Sequence, residues 1–178
     1  MRPLRIRTAR LELIAATLEM ARTERDDRAR LEWEHGIRLA IPWPPPLNDE
    51  ASLAWSISVL EANPASVGWG FWYFTLPGDG AGPAVAIGNG GFKGPPDAEG
   101  SVEIGYAILE EHQRRGYASE AVEALVQWAF AGPGVHRVVA ETYGVLIGSM
   151  GVLRKLGFRR VGAGSEEGVI RFERLRDG

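Results

Sequence analysis

The chain has 178 residues, 45% hydrophobic and 24% charged, with 20 Lys and Arg against 23 Asp and Glu for a formal net charge of −3. That length suits one domain, residues 1–178, with a substantial buried core, and the charge balance gives no general attraction to nucleic acid or an anionic membrane. The absence of cysteine excludes disulfides, thiolate nucleophiles and cysteine metal sites, and no apolar run approaches the ~20 residues needed to cross a bilayer.

In chain order, Met1-Arg-Pro-Leu-Arg-Ile-Arg7 is basic but lacks the apolar run of a signal peptide, so a cytoplasmic location is expected. Residues 10–14 alternate and predict a strand. Residues 17–35 are charged and helical, with a break near Asp26 and a stop at Gly36. Pro42, Pro44, Pro45 and Pro46 rule out regular helix or a central strand over residues 40–47, because proline has no N–H and a fixed φ. Asp49 caps a helix that runs to about Leu60. Residues 70–75, rich in aromatic side chains, predict a strand. Glycine- and proline-rich turns at 77–83 and 94–100 join it to strands at 84–87 and 102–109, making an antiparallel meander.

Val102, Ile104 and Tyr106 alternate with Glu103, Gly105 and Ala107, and from Ala118 the period changes. Ala118, Ala121, Val122, Leu125, Trp128 and Ala129 form one helical stripe. Between strand and helix stands Gln113-Arg-Arg-Gly-Tyr-Ala118. A helix start offers unpartnered N–H groups and partial positive charge, Gly116 permits close main-chain approach, and Arg114 and Arg115 add cations. Together they suit an anion such as a diphosphate. Gly132-Pro-Gly134 then stops the helix. A strand over 136–143, a short helix ending at Gly157 and a hairpin of 158–161 with 169–174 complete an α+β arrangement.

Gln113-Arg-Arg-Gly-Tyr-Ala118 resembles the (Gln/Arg)-x-x-Gly-x-(Gly/Ala) signature of the GNAT superfamily of acyl-CoA-dependent N-acetyltransferases. Val102-Glu-Ile-Gly-Tyr106, Trp128-Ala-Phe130, Arg137-Val-Val-Ala-Glu-Thr142 and Val152-Leu-Arg-Lys-Leu-Gly-Phe158 flank it in order. That order resembles the branch containing the ribosomal-protein N-terminal (alanine/serine) acetyltransferases. The likeness is specific over residues 87–158 and thins over the first third of the chain. It implies the GNAT fold, a mixed and mostly antiparallel sheet flanked by helices, with acetyl-CoA as co-substrate. It also implies that main-chain groups of Ile108 and Leu109 hold the pantetheine arm. Gln113, Arg114, Arg115, Gly116, Tyr117, Ala118 and Ser119 would hold the diphosphate. Two positions depart from the family pattern. Leu146 stands where an Asn commonly opens the later helix, and Leu153 stands where many members place an acidic Tyr, so protonation of the leaving thiolate falls to Ser149 or water.

Acetyl transfer needs an oriented thioester, a donor for its oxygen and loss of an amine proton. Glu103, on the strand before the cofactor loop, is the candidate base, with Glu141 second. The alternative for Glu103 is a salt-bridged strand residue. Ser149 is the candidate donor to sulfur, or else a small buried helix residue flanked by Gly148 and Gly151. Of Trp33, Trp43, Trp55, Trp69 and Trp72, the first two are expected to reach substrate. His35, His112 and His136 show no ligand spacing, and the glycine-rich stretch 162–168 is a hairpin turn rather than a dinucleotide loop. The acceptor is a small-molecule amine or a protein N-terminus, attacking directly in a ternary complex. A non-catalytic CoA-binding regulatory module is the rival, and a homodimer is left open.

Overall fold

The computed structural model describes residues 3–80 and 82–177. The chain begins with a hairpin of β1 (Arg5–Arg7) and β2 (Glu12–Ala15). The alternation at 10–14 signals only the second of these, since a three-residue edge strand is too short to read as a pattern. Thr17 caps α1 (Leu18–Asp26) by accepting from Met20 N. Asp27 ends that helix and caps α2 (Arg28–His35), accepting from the N–H groups of Ala29 and Arg30, so the break near Asp26 is a capping event. Gly36, at φ 69°, closes α2 in the left-handed conformation. Asp49 caps α3 (Glu50–Ala62) through Ser52 N.

The meander is β4 (Phe71–Leu76), β5 (Ala84–Phe92) and β6 (Ser101–Ile108). Strand β5 runs on past Ile87, where its sequence turns to glycine and the expected strand stops. The glycines are there for space. A Cβ on Gly90 would lie 2.5 Å from Gly105 O and 2.7 Å from the Phe74 ring. A short β3 (Ile37–Leu39), not signalled by the sequence, pairs parallel with β5. Then follow α4 (Tyr117–Ala131), β7 (Arg137–Tyr143), α5 (Ile147–Lys155), β8 (Arg159–Ala163) and β9 (Val169–Leu175).

Among the described residues the strands form one sheet in the order β1-β2-β4-β5-β6-β7-β9-β8, with β3 beside β5. Helices cover both faces. Leu13, Trp72, Phe74 and Ile104 pack with Val122, Leu125 and Val126 of α4 and Leu153 of α5. Ile14, Tyr73 and Ala86, displaced by one residue along their strands, pack on the other face with Met20 and Leu31 of α1 and α2. The period-two alternation thus divides the side chains between two cores. Strands β6 and β7 are parallel neighbours, paired from Ser101↔Arg137 to Ile104↔Ala140. Beyond Ile104 the pairing stops although both strands continue, and this opening positions the site.

Candidate active site

Leu109 N–H donates to Ile87 O at 2.9 Å, and Lys93 N–H to Glu103 O at 2.9 Å. Odd-numbered residues of β6 therefore direct their main-chain groups toward β5, and the even-numbered Tyr106 and Ile108 direct theirs toward β7. Since β7 is no longer paired there, those groups border a gap. A cavity of ≈ 780 Å³ threads it, lined by residues 104–108, the start of α4, the end of β7 and one face of α5. Gln113 Nε2 donates to Ile108 O at 2.9 Å and so ties the following loop to the strand end.

That loop is curled by left-handed residues at Arg114 (φ 57°) and Gly116 (φ 83°). Gly116 is the N-cap of α4 and gives it no side-chain cap. Among the described residues, the N–H groups of Tyr117, Ala118 and Ser119 find no main-chain acceptor. These are donors at a helix start, facing a cavity to which Arg114 and Lys155 also contribute. The loop is fixed from behind by Arg10. Its Nη1 donates to Arg115 O at 2.8 Å, its Nε to Glu120 Oε2 at 2.7 Å, and its guanidinium lies 4.5 Å from the Tyr117 ring centre. Glu120 also accepts from Thr8 Oγ1 at 2.6 Å and Arg10 N at 2.7 Å. Burial pushes its carboxyl up, but these hydrogen bonds and the Arg10 charge outweigh that and hold it below the usual value.

On the opposite wall α5 begins at Leu146 without a side-chain cap, as expected where Asn is missing. Gly148 and Gly151 line the cavity, and a Cβ on either would meet nothing within 4 Å. Ser149 between them is joined to Tyr106, whose hydroxyl lies 3.1 Å from both Ser149 O and Ser149 Oγ. Burial pushes the Tyr106 hydroxyl up to about 12 despite the Ser149 contact.

A second cavity, of ≈ 530 Å³, lies under α1 and α3, and is lined by Glu24, Trp55, Phe71 and Asn89 among others. Asn48, Lys93 and Gly105 line both cavities, so the two meet there. Asn48 Nδ2 donates to Asn89 Oδ1 at 2.6 Å at this junction, and Asn89 is only 2% exposed. A Cβ added to Gly105 would meet nothing within 4 Å, consistent with open space on its side of the strand.

Ile108, Gln113, Arg114, Gly116, Tyr117, Ala118, Ser119 and Ser149, all singled out from the sequence, come together around the larger cavity, and Glu141 joins them. Three others do not line it. Leu109 has its N–H on Ile87 O and its carbonyl on His112 N–H, so its main chain is already engaged. Arg115 meets the loop's anchor through its carbonyl. Glu103 is ion-paired with Lys93, the salt-bridged alternative. Glu141 is bound by Ser165 Oγ at 2.6 Å and Arg171 Nη1 at 3.0 Å; burial raises its pKa, yet these bonds leave it lowered, which makes it a weak base.

Neither Trp33 nor Trp43 lines either cavity. Trp33 is 71% exposed, Trp43 has its Nε1 bonded to Glu24, and of the five only Trp55 lines one of these two cavities. The turn dismissed at 162–168 contributes Ser165 and Glu166, and Glu166 accepts from the Tyr143 hydroxyl. Buried His112 Nδ1, which has no partner among the described residues, belongs to another residue of the same lining. Among the described residues no group of three His, Asp or Glu side chains is placed to hold a metal, and no helix is long and apolar enough to cross a membrane.

A family model described as an acetyltransferase (GNAT) domain matches residues 4–159. The chain is 42% identical to the uncharacterized N-acetyltransferase YjdG of Bacillus subtilis over 72 residues, 40% of this chain and 43% of that protein. It is 35% identical to YoaA of the same organism over 85 residues, 48% of this chain and 45% of that protein. The chain thus spans less than half the length of these curated relatives. Among solved structures, the ribosomal-protein-S5-alanine acetyltransferase of Vibrio fischeri superposes with a TM-score of 0.66 at 18% identity, covering 98% of this chain and 97% of that one. RimJ of Mycobacterium smegmatis, in complex with CoA-disulfide, gives 0.65 at 18% identity over 98% and 90% of the two chains. At those identities the likeness is one of fold.

Proposed function

The chain belongs to the acetyltransferase (GNAT) family, and from that membership we propose that it transfers an acetyl group from acetyl-CoA to a primary amine by direct attack in a ternary complex. The observation that carries this reading is the meeting of two cavities at Asn48, Lys93 and Gly105, beside the gap between β6 and β7. The larger cavity accepts the cofactor, with its diphosphate on the N–H groups of Tyr117, Ala118 and Ser119 and its pantetheine along Ile108. Gly148 and Gly151 leave room for the thioester. The smaller cavity accepts the amine. A chain with no cysteine has no thiolate to carry the acetyl group between them.

In this reading the Ile108 N–H donates to the thioester oxygen as charge develops; loss of one such donor costs other enzymes about 3–4 kcal/mol. Asn48 and Asn89 orient the attacking nitrogen at the junction. Glu103 is engaged by Lys93 and Glu141 is held ionised, so the amine proton leaves through water. Ser149 donates a hydrogen bond to the departing thiolate, with Tyr106 fixing its hydroxyl, and the thiolate takes its proton from water. Tyr106 itself keeps its proton. With a pKa of about 12 against about 8.5 for a thiol, transfer would be uphill by about 5 kcal/mol. The acceptor is a small-molecule amine or a protein N-terminus. The second class has support from the ribosomal-protein acetyltransferases among the solved relatives.

Calorimetry with CoA and acetyl-CoA, followed by thiol release across a panel of amines and N-terminal peptides, tests the proposal. Binding together with amine-dependent thiol release is expected. Binding without release from any acceptor would leave a CoA-binding regulatory module, and no binding at all would overturn both.

A further inference from the structure

Glu24 is a carboxylate that this chemistry does not use. It sits on α1, is 3% exposed, and lines the smaller cavity. Its Oε1 accepts from Trp43 Nε1 at 2.6 Å and its Oε2 from the Tyr73 hydroxyl at 2.6 Å. An ionised carboxylate offers about four acceptor positions, and two are filled. The rings that hold it are packed in turn. Trp43 and Tyr73 stack at 6.4 Å, and Phe71, which also lines the cavity, meets Tyr73 edge-on at 4.8 Å.

Burial is the largest influence on Glu24 and raises its pKa. The hydrogen bonds from Tyr73 and Trp43 oppose this, and the Arg28 charge opposes it less. Arg28 is exposed, and its Nη1 donates to Trp43 O at 3.3 Å. A buried carboxylate without a close counter-ion is costly, and an entering cation relieves that cost. Phe71 and Trp55 add aromatic surface, which also attracts cations.

We propose that Glu24, held by Trp43 and Tyr73 at the floor of the smaller cavity, binds a second ammonium group of the acceptor, so that the acceptors are alkyl diamines or chains carrying a lysine-like side chain. This rests on the reading of that cavity as the acceptor site. Tyr73 pairs with Asn89, and Asn89 with Ala107 on β6. Tyr73 thus sits on a strand two places from the gap, roughly 10 Å across the sheet, and its hydroxyl holds Glu24 at the far end of the side chain. One nitrogen reaches the thioester while the other stays on Glu24.

The test titrates 1,4-diaminobutane, 1,6-diaminohexane, lysine-containing dipeptide amides and butylamine into the protein saturated with CoA, then measures kcat/KM for each with acetyl-CoA. Diamines should bind at least tenfold tighter than butylamine. Glu24→Gln should abolish that preference while leaving the CoA Kd within threefold. Arg28, though exposed, also lines this cavity, and Arg28→Gln removes a cation that competes with the entering ammonium, so it should tighten diamine binding by about threefold. A preference for the dipeptide amides over the diamines would identify a peptide as the source of the second ammonium. Equal binding of mono- and diamines, or a preference that survives Glu24→Gln, overturns the inference even if amines are acetylated. Diamine binding that depends on Glu24 without thiol release would instead overturn the catalytic reading and keep the subsite.

Discussion

Replacing Gly116 by glutamate probes the anion site where it depends most on the main chain. The residue has φ 83°, and a Cβ there would come 3.2 Å from Arg10 Nη2, the far end of a flexible side chain. Arg10 is held by Arg115 O, Glu120 and the Tyr117 ring, so displacing it adds to the cost of the left-handed conformation, about 1–2 kcal/mol, in both the alanine and the glutamate variant. Binding suffers more. A carboxylate about 5 Å from the diphosphate, at an effective dielectric near 20, adds about 3 kcal/mol of repulsion, or roughly two decades in Kd. Gly116→Ala carries the strain without the charge and separates the two effects. Both variants should lose similar amounts of thermal stability. Calorimetry should show Gly116→Ala within about tenfold of the parent for CoA, and Gly116→Glu weaker by at least 100-fold. The gap between the two variants should narrow with added salt. A glutamate variant that is folded and binds CoA within threefold of the alanine variant refutes the diphosphate assignment.

Gly105→Leu fills the junction of the cavities from a position with free space for its Cβ. CoA binding and melting temperature should hold while thiol release falls at least tenfold, and unimpaired turnover would argue against the junction. Tyr106→Phe should lower kcat roughly tenfold with the acetyl-CoA Kd unchanged. Because the Tyr106 hydroxyl is pushed up to about 12, the alkaline limb of kcat should stay where it is; a shifted limb would make Tyr106 the acid. Glu120 has a lowered folded pKa, so its stabilising effect is complete above the unfolded value of 4.5 and is lost as pH falls through the lower folded value. Urea titrations should therefore show Glu120→Gln less stable than the parent at pH 7, with the difference shrinking below pH 4.5. A pH-independent difference would contradict the assigned hydrogen bonds.

What the sequence discloses here follows from how local each device is. The helix breaks at Asp27, Gly36 and Asp49 are legible because a cap is written within a few residues of the turn it closes. The anion loop is legible for the same reason: a glycine at positive φ and a helix start lie within one short stretch. Strand β5 is half legible. Its glycine run reads as a turn in isolation, and only the proximity of Gly105 O, Ala107 O and the Phe74 ring explains why side chains are excluded there.

The smaller cavity is illegible for a complementary reason. Glu24 meets Tyr73 across 49 residues and Asn48 meets Asn89 across 41, and the Arg10–Glu120 brace behind the anion loop, across 110, is hidden in the same way. No spacing rule links such partners, and each looks like an ordinary surface or cap residue until the sheet gathers it. The same division bears on specificity. In the proposed reading, cofactor binding would rest on main-chain N–H groups, which side-chain substitution scarcely alters while the glycines remain. Acceptor choice would rest, in the same reading, on a few long-range side chains, and one substitution at Glu24 is enough to change the charge of that cavity. A chain built this way would hold its cofactor constant while its acceptor varies, and the smaller cavity is then where relatives with this fold should differ in chemistry.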